Sequence, residues 1–216
     1  MMTPTAQEIK DIFDPGKYST ETALAIARSW SGCGAPVYMD VAHYFQHLCS
    51  TSRPDLDTVT RGLEIIVAAV PAHALLVVVR PVLQWCSPKL RSKFIMILVT
   101  HTQNLRWAEG LMEDNDYRVR ASVVEGLWGI ESPEVEKLFE RATADRHHRV
   151  VANAVYGLSL RDPGKAIPQI ERLTIHQRAA FRAAGSWVIR KTGSTELRQL
   201  LTPWISPTLT PAPLRR

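Results

Sequence analysis

The amino-acid sequence predicts an all-α fold in which antiparallel helix pairs stack into a solenoid. The chain repeats itself every 31 residues between Asp114 and Gly193. Apolar residues within each repeat recur at helical spacing, and no segment alternates like a strand between hairpin turns. A fixed period of about 20 to 50 residues is typical of arrays whose units bury their apolar sides against their neighbours.

The core of these repeats is predicted from register. The aligned segments are Val119–Ala121, Val150–Ala152 and Phe181–Ala183, followed eight residues later by Leu127, Leu158 and Ile189. Gly126 also matches Gly157, and Asp114 matches Asp145. We expect the aligned aliphatic and aromatic positions to be buried, because the same position of each unit faces the same neighbour.

Helix starts are marked by capping residues. Asp116 precedes the periodic stretch from Tyr117 to Ile130, and Ser132–Pro133 supplies an N-cap and an N1 proline for the next helix. The predicted helices are, in order, Thr20–Trp30, Pro36–Cys49, two helices meeting at Pro71, one around Leu90–Leu98, Asn104–Met112, Tyr117–Ile130, Glu134–Ala144, Arg149–Leu160, Ala166–Leu173, Gln177–Lys191 and Thr195–Ile205.

These elements predict four regions. They are an N-terminal extension at 1–17, a capping helix pair at 18–57, repeats at 58–205 (58–87, 88–115, 116–145, 146–175 and 176–205), and a flexible Pro-rich tail at 206–216.

Composition is that of an ordinary folded protein, with 45% hydrophobic and 22% charged residues among 216. The net charge of +5 permits contact with nucleic acid or anionic lipid without requiring it. Three cysteines without CxxC pairing argue for a reducing compartment. The first 20 residues lack an apolar run, so no signal peptide is expected and a cytoplasmic location is predicted.

The most apolar run extends from Ile65 to Val79. It is shorter than the ~20 residues of a membrane span and contains Pro71. We therefore expect no span here, but two core helices with Pro71 at the first position of the second.

The repeats resemble the HEAT family, and most closely its short bacterial form, of the PBS-lyase type. The similarity rests on Asp114, Val119-Arg120-xx-Ala and Gly126-Leu127, with further copies from Asp145 and from Phe181. Val151 stands where the pattern has Arg. The resemblance implies a right-handed array of antiparallel helix pairs, whose second helices line a concave surface that binds partners.

A charged pattern recurs in the second helices. Glu140–Arg141 and Glu171–Arg172 are 31 residues apart, Glu109 lies 31 before Glu140, and Lys137 is nearby. This row is either a strip that a partner recognises or a set of inter-repeat salt bridges worth ~0–1 kcal/mol each, which is the commoner case. Trp107 and Trp128 are the candidate aromatic anchors beside it.

One helix carries a possible metal site. Asp40, His43 and His47 share a helical face, and the two histidines have the i, i+4 spacing that can hold one metal. Zinc usually takes three or four protein ligands, so a partly exposed polar face is the expected outcome and no metal or other cofactor is predicted.

No phosphate loop, nucleophile elbow or paired CxxC motif is present in the sequence. The leading hypothesis is a non-catalytic scaffold that binds another protein on its concave surface, with no small-molecule ligand expected. The first alternative is nucleic-acid binding, since HEAT-like alkylpurine DNA glycosylases are similar in design. The second is an accessory subunit of a bilin lyase.

Overall fold

The computed structural model describes residues 3–51 and 55–193, and all regular structure in these ranges is helical. The all-α prediction is therefore confirmed. The helices are α1 (Ala6–Phe13), α2 (Thr20–Ser29), α3 (Ala35–Thr51), α4 (Leu56–Ala69), α5 (Ala72–Trp85), α6 (Pro88–Thr102), α7 (Leu105–Leu111), α8 (Tyr117–Gly126), α9 (Pro133–Ala142), α10 (His148–Ser159), α11 (Pro163–Thr174) and α12 (Ala179–Thr192). The predicted helix Thr195–Ile205 and the predicted tail lie outside the described residues.

The chain divides into two compact units, Met1–Asn104 and Leu105–Arg216. In the first unit α4 is central, since it contacts α1, α2, α3, α5 and α6. Its core includes the fully buried Phe45, Leu63 and Phe94. The boundary between the units falls inside the predicted repeat 88–115.

Helix α1 lies within the region predicted only as an extension. A capping box starts it: the Thr5 side chain accepts from the Glu8 amide, and the Glu8 carboxylate accepts from the Thr5 amide. Ile9, Ile12 and Phe13 are buried, so this short helix is held by its apolar side.

The apolar run from Ile65 to Val79 forms parts of α4 and α5 and contributes Ile65, Ile66, Leu75 and Val79 to the core. Pro71 is the N-cap of α5 and not its first residue, which corrects the prediction by one position. The Pro71 carbonyl accepts from the Leu75 amide and starts the helix without needing a proline N–H. No helix in the described ranges combines the length and apolarity needed to cross a membrane.

In the second unit the helices alternate. Helices α8, α10 and α12 contact one another in succession, while α9 packs on α8 and α10 and α11 packs on α10 and α12. The residues predicted from register are all buried, namely Val119, Val150, Phe181, Leu127, Leu158 and Ile189. Gly157 allows α10 to approach α9, because a Cβ there would lie 2.7 Å from the Phe139 ring.

The loops before α8, α10 and α12 share one hydrogen-bond pattern. Asp114, Asp145 and His176, spaced 31 residues apart, each accept the backbone N–H of the residue two positions later, at 2.8, 2.7 and 3.0 Å. The Asp116 and Ser132 side chains cap α8 and α9, and Pro133 is at the first turn, as predicted. The 31-residue period therefore corresponds to a repeated local structure.

Candidate functional site

The predicted charged row lies on α7, α9 and α11, which we call the α7–α9–α11 surface. Arg141 Nη1 on α9 donates to Glu109 Oε1 on α7 at 2.8 Å, and both side chains are about half exposed. The pair joins helices from neighbouring repeats. Solvent screening keeps its contribution within ~0–1 kcal/mol.

A second ion pair joins α9 to α11. Lys165 Nζ lies 2.6 Å from Glu140 Oε1 and also contacts the Glu136 carboxylate. Hydrogen bonds to Glu136 and then Glu140 raise the pKa of Lys165 above its ordinary value. Lys165 is therefore a charged bridge between repeats, a role that the sequence analysis did not assign.

Arg172 makes a third connection from α11. Its Nη2 donates to the Thr143 carbonyl at 2.7 Å, at the C-terminal cap of α9. A cation there is favourable because the helix dipole places partial negative charge at that end. Lys137 is exposed and Glu171 half-buried on the same surface. The row of predicted charges is thus largely tied together by contacts between helices.

The two predicted aromatic anchors are in different places. Trp107 is half-buried on α7. Trp128 follows the C-terminus of α8, and its indole Nε1 donates to the Asn153 carbonyl on α10 at 2.9 Å. Trp128 therefore belongs to the α8–α10–α12 surface and not to the charged row.

Trp128 is part of an aromatic cluster that the sequence analysis saw only in part. Its ring meets Tyr156 edge-on at 4.7 Å, and Tyr156 meets Trp187 at 6.0 Å. The Lys191 ammonium lies over all three rings. The register of Tyr156 and Trp187 was visible in the sequence, whereas the position of Trp128 and Lys191 depends on helix packing.

A polar cluster lies where α8 and α10 begin. Arg120 is 4% exposed, and its Nε and Nη2 donate to the Asp145 carboxylate at 2.7 and 2.9 Å. Its Nη1 donates to the Asp114 carbonyl at 2.7 Å. Burial alone would raise the pKa of Asp145, but hydrogen bonds from Arg120 and the His147 amide hold it below its ordinary value.

This pair borders a cavity of about 400 Å³ that Met112, Arg141 and Val150 also line. Because Arg120 and Asp145 neutralise each other and are fully engaged in hydrogen bonds, the cluster suits a structural role. Neither group is aligned with a nucleophile in the way that acid–base catalysis requires.

Two histidines beside this cluster are used in packing. His147 stacks on Tyr117 at 3.6 Å and on His148 at 4.4 Å between ring centroids. Burial lowers the pKa of both histidines, and the neighbouring His148 lowers that of His147 further. The neutral His147 Nδ1 accepts from the Arg149 amide and caps α10.

The predicted metal triplet lies on α3 in the first unit. Asp40, His43 and His47 line an open groove of about 690 Å³ together with Lys10 and Tyr44. Across residues 3–51 and 55–193, no three His, Cys, Asp or Glu side chains are arranged to hold a metal ion. The groove therefore gives the triplet no support as a metal site.

In comparisons with known proteins, no family model matches the chain, and no curated protein matches it significantly.

Proposed function

We propose that the chain is a non-catalytic scaffold of HEAT-like repeats, which binds a protein partner on the α7–α9–α11 surface. The solenoid part of the proposal is supported by the repeated loop pattern at Asp114, Asp145 and His176 and by the successive contacts of α8, α10 and α12. The repeats at 58–87 and 88–115 are proposed from sequence register alone. If the resemblance holds, the second helices of each pair line the concave side.

The balanced charge of the α7–α9–α11 surface is the observation that carries the choice of partner. These three helices carry five Arg and Lys and five Asp and Glu. The ion pairs Arg141–Glu109 and Lys165–Glu140 hold several of these side chains in fixed positions between helices. A neutral surface of mixed charges suits the polar rim and hydrogen-bonding groups of another protein better than a polyanion.

Charge reversal at Lys137 tests this proposal. Lys137 is exposed on α9, so Lys137→Glu changes the surface without removing a core contact. Arg149→Glu on α10 is the matched control, since Arg149 is also exposed but lies on the α8–α10–α12 surface. We expect Lys137→Glu to weaken partner capture at least tenfold while Arg149→Glu leaves it unchanged. The proposal fails if the two variants behave alike with unchanged helicity.

Nucleic-acid binding is the second candidate, and one observation favours it. Helices α8, α10 and α12 carry six Arg and Lys against a single Glu. Of the six, only Arg120 is buried. The others, in part engaged in internal contacts, give this surface a positive field that phosphates would meet.

Salt dependence tests this candidate with the same two variants. If the α8–α10–α12 surface binds phosphates, affinity for a DNA or RNA duplex at ~50 mM salt should fall steeply with added salt. Arg149→Glu should then weaken binding and reduce the salt slope by about one to two, while Lys137→Glu should have little effect. Absence of binding at ~50 mM salt would exclude the candidate.

A further inference from the structure

Three aromatic rings from successive helix pairs surround one point on the α8–α10–α12 surface, and a cation occupies that point. The Lys191 Nζ lies 5.1 Å from the ring centroids of Trp128 and Tyr156 and 5.5 Å from that of Trp187. A cation within ~6 Å of a ring centroid is attracted by the negative potential of the ring face. We call this group of three rings the aromatic cage.

The cage is held in place by hydrogen bonds and by the repeat itself. Trp128 Nε1 donates to the Asn153 carbonyl at 2.9 Å, and the Asn153 amide donates to the Ala121 carbonyl at 3.0 Å. Tyr156 and Trp187 occupy the same position of consecutive repeats, 31 residues apart. Because these ring positions are fixed by packed helices, the cage needs little reorganisation to hold a ligand.

The occupant, in contrast, is only loosely attached. Lys191 lies in the last turn of α12, one turn beyond Trp187, and its side chain is exposed. A lysine has a flexible four-carbon stem, so it can leave the rings without any change in the helix. Its ammonium is also well hydrated, which limits what it gains from contact with the rings.

The distances identify the cation that the cage fits best. A methyl carbon lies ~1.45 Å from its nitrogen and packs best against carbon at ~3.5–4.0 Å. A methylated nitrogen therefore sits ~5.0–5.5 Å from a ring, which is the range found for Lys191 Nζ. The rings stand one methyl group away from the nitrogen on three sides.

We propose that the aromatic cage of Trp128, Tyr156 and Trp187 is a binding site for a quaternary ammonium group, and that Lys191 is its displaceable internal occupant. Cages of this composition recognise trimethylammonium through cation–π attraction and apolar contact of the methyl groups. The group could come from a trimethylated lysine side chain or from a choline headgroup. The site lies on different helices from the proposed protein-binding surface, so either proposal can fail without the other.

Titration of the full chain with choline, with a peptide containing trimethyllysine and with the unmethylated peptide tests the site. Binding is followed by NMR of the indole N–H signals of Trp128 and Trp187. Lys191→Ala should bind both quaternary ammonium probes about two- to tenfold more tightly than the unaltered chain, because the internal competitor is removed. Lys191→Arg keeps a cation at the position and should bind like the unaltered chain.

Two further measurements distinguish a cation site from an apolar patch. The neutral isostere 3,3-dimethylbutanol has the shape of choline without its charge, and should bind Lys191→Ala at least tenfold more weakly than choline. Trp187→Leu in the Lys191→Ala chain should abolish binding, and the isostere comparison decides the matter if that variant does not fold. Tighter binding of the methylated peptide than of choline would identify a protein source, and the reverse a headgroup.

Three results would overturn the proposal: no binding of either quaternary probe to Lys191→Ala at ~10 mM, equal binding of the isostere, or equal affinity of the Lys191→Ala and unaltered chains.

Discussion

The buried pair of Arg120 and Asp145 gives the sharpest stability prediction. The Arg120 guanidinium is 4% exposed and makes two hydrogen bonds to the Asp145 carboxylate, at 2.7 and 2.9 Å. Asp145→Asn removes the negative charge but keeps an acceptor for the His147 amide. The change leaves a cation buried without its counter-charge, which costs about 3–5 kcal/mol in similar sites.

Remaining contacts place the expected cost near the lower end of that range. Arg120 Nη1 still donates to the Asp114 carbonyl at 2.7 Å, so the guanidinium is not left without acceptors. We expect Asp145→Asn to lower the free energy of unfolding of the second unit by about 3 kcal/mol. For a unit of this size the thermal midpoint should fall by roughly 12–24 °C.

The chain itself suggests a control. In the next repeat Val151 and His176 occupy the positions of Arg120 and Asp145, so the fold accepts an uncharged pair there. In a double-mutant cycle, Arg120→Val with Asp145→Asn should cost at least ~1.5 kcal/mol less than the sum of the single changes. Urea unfolding, with hydrogen exchange to localise the effect to α8 and α10, measures each term. Additive costs, or a cost of Asp145→Asn below ~1 kcal/mol, would refute the reasoning.

Acidification should act on the same pair. The pKa of Asp145 lies below its ordinary value, so its stabilising effect is complete above that value (~4) and is lost as the pH falls below it. In Asp145→Asn this part of the acid sensitivity should disappear. An unchanged acid profile would argue against the ion pair.

Three other predictions concern packing, pH and thiol chemistry. Gly157→Ala should destabilise the second unit by about 1–2 kcal/mol, because its Cβ would lie 2.7–2.9 Å from the fully buried Phe139 ring, whereas Gly110→Ala meets no atom within 4 Å and should stabilise α7 by about 0.5–1 kcal/mol; equal thermal shifts would contradict this. The lowered pKa of His147 means that its cap on α10 is complete above the ordinary histidine pKa (~6.5) and lost as the pH falls, so hydrogen exchange at the start of α10 should quicken between pH 7.5 and 5.5 in the unaltered chain but less in His147→Asn. Burial raises the pKa of the Cys49 thiol to about 12, so at pH 8.5 it should be alkylated at least ~100-fold more slowly in the native chain than in urea, and equal rates by mass spectrometry would show that the thiol is not shielded.

Local signals account for the parts of the fold that the sequence predicted well. Asp116 and Ser132 cap their helices through contacts two residues away, and such contacts depend on few neighbours. Residues such as Leu127 and Leu158 were predicted to be buried because the repeat places them against equivalent neighbours. The position of Pro71 was wrong by one residue, since local sequence rarely fixes a helix boundary that closely.

Contacts between repeats account for most of what the sequence did not show. Arg120 meets Asp145 across 25 residues, and nothing in either residue type specifies the partner. The aromatic cage is harder still, because Trp128 and Lys191 come together only through the packing of α8, α10 and α12. Helix α1 is different: the Thr5–Glu8 capping box was a readable signal that was missed.

Site-specific photo-crosslinking tests the proposed function most directly. A photo-reactive amino acid is placed at position 137 on α9 or, as control, at position 149 on α10, both of them exposed helix positions. The crosslinked products in the cells that produce the protein are then identified as protein or nucleic acid. We predict a discrete protein adduct from position 137 and none from position 149. A nucleic-acid adduct from position 149, with no adduct from position 137, would contradict the proposal.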